Sequence, residues 1–77
     1  MQFNRDEWMK ENDVRAIEIR SGEHSVEWIA RGRDGLTAMY GMSHYEHENY
    51  RGNPTALVFF MLAEGLANER KKVPTDA

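Results

Sequence analysis

The stretch from Asn53 to Lys72, N-P-T-A-L-V-F-F-M-L-A-E-G-L-A-N-E-R-K-K, is the one segment long and apolar enough to form a main helix. The rest of the chain must pack around it. Asn53 is placed to accept a hydrogen bond from the unpaired amides of a first turn, and Pro54 suits the first helical position because it has no amide to leave unsatisfied. Arg70, Lys71 and Lys72 fall in the last turn, where positive charge complements the helix dipole, and Pro74 lies just beyond it. The pattern predicts a helix over residues 54–72 and a short tail over 73–77.

At about 100° per residue, Ala56, Phe59, Leu62, Ala63, Leu66 and Ala67 share one stripe, the natural core face. Leu57 and Met61, with Val58 at the margin, fall behind it, on the side that carries Glu64 and Asn68. A helix laid on a small sheet covers one stripe only, so this second apolar group needs a cover of its own. Either the N-terminal segment folds over it through Phe3 and Trp8, or Leu57 and Met61 lie at a homodimer or partner interface. Gly65, in mid-helix, costs about 1 kcal/mol relative to Ala and leaves room for a close approach by a neighbouring segment.

A chain of 77 residues is a single small domain of modest stability. It has no cysteine, which removes disulfides and thiolate zinc sites. No apolar run approaches the roughly 20 residues that span a membrane, and M-Q-F-N-R-D-E-W is too polar for a signal peptide. A soluble, cytoplasmic protein is expected. The formal net charge of -3, from 10 Lys plus Arg against 13 Asp plus Glu, argues against a chain devoted to neutralising phosphates. It suits one that presents carboxylates to a basic protein surface.

Read in order, the chain is α+β, with a short N-terminal helix, a three-stranded antiparallel meander and the long C-terminal helix packed on one sheet face. Asn4 as cap, Glu7 three residues later and Phe3 packing on Trp8 predict a helix over 5–11, with Trp8 and Met9 as a lid on the core. The period then changes to that of strands, expected over 14–20, 25–31 and 36–42. Turns are expected at Ser21–His24 and at Arg33-Asp34-Gly35. A four-residue first turn sets Ile19 opposite Val26 and Ile17 opposite Trp28, on the helix-facing side with Ala30 and Met39. Glu18, Arg20, Glu27, Ile29, Arg31 and Tyr40 take the other side, with Glu18 unfavourably opposite Glu27 unless the register differs.

The polar connection over 43–52, S-H-Y-E-H-E-N-Y-R-G, gathers the groups most able to do chemistry or recognition. His44 and His47 beside Glu46 and Glu48 are metal-ligand types, but their spacing is not diagnostic, and His24 sits at a distant hairpin tip. No nucleophile elbow or phosphate loop is present, since Gly32 and Gly35 in R-G-R-D-G are not followed by Lys-Ser/Thr. No catalytic residue, metal site or cofactor is therefore assigned, and the chain is expected not to be an enzyme. Arg31, Arg33 and Arg51, with the tyrosines, are the residues that would contact nucleic acid.

The order of helix, three strands and helix resembles the double-stranded-RNA-binding domain in topology and length. That family opens its last helix with a basic cluster, where this chain has N-P-T-A-L over Asn53 to Leu57, so no residue is carried over. In size, acidity, lack of cysteine and exposed S-H-Y-E-H-E-N-Y, the chain also resembles the small phage and prophage inhibitors of bacterial defence systems, anti-CRISPR proteins among them. That likeness implies a stoichiometric inhibitor or accessory factor that docks on a larger bacterial complex such as a CRISPR effector. Glu23, Asp34, Tyr45, Glu46, Glu48 and Tyr50 are then the expected partner contacts, and Leu57 and Met61 the expected self-association contacts.

Overall fold

The structure is a computed structural model and describes residues 4–51 and 56–73, the side chains of residues 49–51 and 56 excepted. Its elements run α1 (Arg5–Glu11), β1 (Val14–Ser21), β2 (Val26–Gly32), β3 (Thr37–Met42), α2 (His44–Arg51) and α3 (Ala56–Lys72). The three strands form one antiparallel sheet in the order β1-β2-β3. α3 packs chiefly on β3 and more lightly on β2, while α1 leans on β1. This is the expected α+β plan with one more helix.

α1 begins where its cap predicts, with the Glu7 amide donating to Asn4 Oδ1 at 3.0 Å. The expected contact of Phe3 lies outside the described residues, as do Asn53 and Pro54 at the start of the main helix. The described part of the 43–52 segment is helical over His44–Arg51, where a polar loop was expected. Ser43 and Glu46 form a reciprocal cap, with the Glu46 amide donating to Ser43 Oγ at 3.1 Å and the Ser43 amide to Glu46 Oε1 at 3.2 Å. Two otherwise orphaned amides are satisfied, and a helix follows.

Ile19 pairs with Trp28 and Arg20 with Glu27, so the first hairpin is displaced by two residues from the expected register. An even displacement leaves each side chain on its expected face. It also replaces the Glu18–Glu27 clash with an Arg–Glu pair. The cause is a tighter turn, closed by the Gly22 amide on the Ser25 carbonyl at 2.8 Å.

In β3 the faces are exchanged. Tyr40 pairs with Trp28 and Ala38 with Ala30, which turns Ala38, Tyr40 and Met42 toward the helix and Met39 away. Gly32 donates to the Leu36 carbonyl at 2.8 Å, and Gly35 takes the left-handed conformation at φ 88°. The turn holds Arg33, Asp34 and Gly35, the three residues expected, but a turn of that length sets Met39 on the face opposite to the one expected, since a one-residue slip inverts a strand.

Trp8, Val14, Val26, Trp28, Ala30, Ala38, Met42, Val58, Phe59, Leu62 and Leu66 form the core. The Phe59 ring meets Trp8 at 4.9 Å and Trp28 at 5.9 Å, both edge-on. Such geometry suits the ring quadrupoles. On α3 the stripe is rotated slightly from its expected position, so that Val58 enters the core and Ala67 is exposed. Gly65 permits this packing, because a Cβ there would stand 3.0 Å from that of Ala38 on β3.

Candidate functional site

The expected contact residues separate into those that hold the fold and those left on the surface. Arg70, near the end of α3, donates through Nε to Asp34 Oδ2 at 2.7 Å, through Nη1 to the Asn12 carbonyl at 2.7 Å and through Nη2 to the Asp13 carbonyl at 3.1 Å. One guanidinium fork thus ties α3 to the α1–β1 junction and to the β2–β3 turn. Asp13 adopts a left-handed φ of 53°, which aspartate tolerates better than most residues, and its carbonyl also accepts from the Arg33 amide at 3.0 Å. Gly32 leaves room for this knot, since a Cβ there would clash with Asp34 Oδ1 and stand 2.8 Å from Arg70 Nη2, so that these side chains would have to shift.

Hydrogen bonds from Arg70 and then from the Leu36 amide hold the Asp34 carboxyl below its ordinary pKa. Asp34 therefore serves the turn. The open depression of about 290 Å³ lined by Asp34, Leu36, Arg70 and Val73 has its two charges already paired.

Arg31 and Arg33 are also engaged. Arg31 donates to Glu18 Oε1 at 2.7 Å across the open sheet face, and Arg20 donates to the other oxygen at 3.0 Å. These bonds, Arg31 first, lower the Glu18 pKa. Arg33 Nε stands 3.6 Å from Asp13 Oδ1. The Arg51 and Tyr50 side chains lie outside the described residues.

On α2, the two histidines face the sheet. His44 Nε2 donates to the Gly22 carbonyl at 2.8 Å, which pins the helix to the β1–β2 hairpin. The His47 ring lies 5.9 Å from that of Trp28. His47 Nδ1 and Trp28 Nε1 are both buried without a hydrogen-bond partner. An indole N–H only donates and a bare imidazole nitrogen only accepts, so these orphans are chemically complementary. Among the described residues, no three His, Asp or Glu side chains gather to hold a metal ion.

Glu46 is occupied by the Ser43 cap, whereas Glu23, Tyr45 and Glu48 are exposed. The His44–Gly22 bond brings Glu23 and Tyr45 to neighbouring elements at one end of the sheet. Asp34 is at the other end. The five expected contacts whose side chains are described therefore do not form one surface.

The open side of α3 is more coherent. Leu57, Phe60 and Met61 are 47%, 61% and 38% exposed. Their i, i+3, i+4 spacing sets the side chains next to one another on two turns. Trp8 does not cover them, being buried against Phe59. Phe60 was missed by the sequence reading, although at about 100° per residue it falls about 60° from Leu57 with Glu64 between them on the wheel, which marks it for this side.

No family model, curated protein or solved structure matches the chain.

Proposed function

We propose that this chain is a non-catalytic protein-binding module whose α3 lays Leu57, Phe60 and Met61 into an apolar groove on a larger protein. The observation that carries this reading is the contiguous exposure of those three side chains on a helix whose other face is fully engaged in the core. Recognition of a helix through i, i+3 and i+4 anchors is a general mode of groove binding. Exposed Glu64, one turn further on, favours a basic residue at the groove's rim. In line with the resemblance to phage inhibitors, the module acts by stoichiometric occupancy of a larger bacterial complex. Binding of nucleic acid through Arg31, Arg33 and Arg51 has less support, because Glu18 and Asp13 already answer the first two.

Quantitative capture from bacterial lysate, with wild type and Phe60→Glu as paired baits, tests the reading. A protein retained in stoichiometric amount by wild type should be lost from Phe60→Glu with the circular dichroism unchanged, and should bind the purified wild-type chain directly. Equal retention by both baits would remove α3 as the docking face.

A further inference from the structure

We propose that the free edge of β1 is a self-pairing surface, on which a second copy of this chain docks antiparallel about Ile19 to continue the sheet. β1 has a neighbour on one side only. Because the Gly22 amide bonds the Ser25 carbonyl, the even-numbered residues of the strand exchange their backbone bonds with β2. Ile17, Ile19 and Ser21 consequently turn their amides and carbonyls to the open side. Among the described residues none of these outward groups is hydrogen-bonded. Ile19, at the centre, is 47% exposed, since α3 lies over β3 and β2 and leaves this part of β1 uncovered.

Charge selects the occupant. About Ile19 the signs are opposite at equal distance: Glu18 before and Arg20 after, then exposed Arg15 four residues before and exposed Glu23 four after. An antiparallel second copy centred on Ile19 places Glu18 of each chain opposite Arg20 of the other. These are non-hydrogen-bonded positions, where side chains approach most closely. Sliding the copy to the next registers that keep faces matched sets Glu18 on Glu18 or Arg20 on Arg20. A one-residue slide opposes the two faces of the sheet and misaligns the outward backbone groups.

Charged residues on an edge ordinarily keep other strands away. Here the one strand they attract is β1 itself. In the pair, Ile19 bonds Ile19, and Ile17 bonds Ser21 in both directions. Each Glu18 keeps its own Arg31 at 2.7 Å and exchanges the Arg20 of its own chain, which donates to its other oxygen at 3.0 Å, for the Arg20 of the second copy, so the pairing swaps one ion pair for another. The two-fold axis is perpendicular to the sheet, an isologous contact that leaves α3 of each copy on the same face at opposite outer ends. Such a dimer carries two α3 stripes and binds a repeated or symmetric target with avidity, but the pairing itself does not depend on what α3 binds.

Sedimentation of the purified chain across a dilution series tests the proposal, together with cross-linking. Wild type should pass from dimer to monomer on dilution, and Ile19→Lys, which opposes two ammonium groups on the axis, should weaken association by roughly tenfold or more with the fold unchanged. The chain has no cysteine, so Ile19→Cys supplies a clean second readout. Directly opposed residues of a bonded pair stand about 5.5 Å apart at Cα, a span that a short bis-maleimide bridges between two thiols. Such a reagent should therefore link Ile19→Cys into a covalent dimer much faster than Met39→Cys, whose cysteine lies away from the axis. A wild type that stays monomeric at the highest attainable concentration would overturn the proposal. So would equal cross-linking by the two cysteine variants, or a dimer that Ile19→Lys leaves intact and Phe60→Glu dissolves.

Discussion

Gly32 shows how a residue without a side chain fixes several that have one. Its missing Cβ is the space in which Asp34 and Arg70 meet, so Gly32→Ala must displace a charged pair or the turn itself. Overpacking of this kind costs about 1–3 kcal/mol, and the urea midpoint should fall accordingly. The sequence presents Arg31, Arg33 and Asp34 as a charged hairpin tip without revealing that each has an internal partner. That follows only from where Glu18, Asp13 and Arg70 arrive, and Arg70 comes from the far end of the chain. Glu18 and Asp34 have lowered pKa values in the folded state. On acidification the unfolded chain takes up their protons first. The stability they contribute is therefore present above the ordinary carboxylate range, begins to fall near about pH 4, and is lost as pH drops through the lowered folded values. Urea midpoints at neutral and acid pH should show this decline, and Glu18→Gln should make it shallower.

At the scale of elements, local signals were legible wherever one segment settles its own structure. α1 was readable from Asn4, and the strand limits agree within a residue or so because alternation and turn residues coincide. α2 carried its own S-x-x-E start as well, in Ser43 and Glu46, but its polar composition hid the helix. Ser43→Ala should cost about 1 kcal/mol of local helix stability, read as faster hydrogen exchange at the Glu46 and His47 amides. Glu46→Lys would break the same cap, so any loss of binding in that variant reports on the helix as well as on a contact. What the sequence reading missed was phase. The face of β3 depends on the number of residues in the turn, and the three of Arg33-Asp34-Gly35 put Met39 and Tyr40 on the sides opposite to those expected. Met39 is 58% exposed on the open face beside Ile29, which is buried there to 3%.

In the whole molecule, the N-terminal helix could in principle have closed over the back of α3, and pattern alone did not choose. The packing answers for Trp8, which is buried in the core against Phe59, while Phe3, the other residue expected there, lies outside the described residues. The surface then has an apolar stripe on α3 at one side and an unpaired strand edge at the other, with the charged knot of Arg70 between α3, the α1–β1 junction and the β2–β3 turn. Those two surfaces are the ones on which the proposed docking and the proposed self-pairing rest. The openness of the α3 stripe is measured most directly by methionine oxidation under dilute peroxide, followed residue by residue in the mass spectrum. Met39 and Met61 should oxidise quickly, half-buried Met9 more slowly, and buried Met42 only as fast as the domain opens. If Met61 were protected as well as Met42 in the dilute, purified chain, the back of α3 would already be covered and the proposed docking face would not exist.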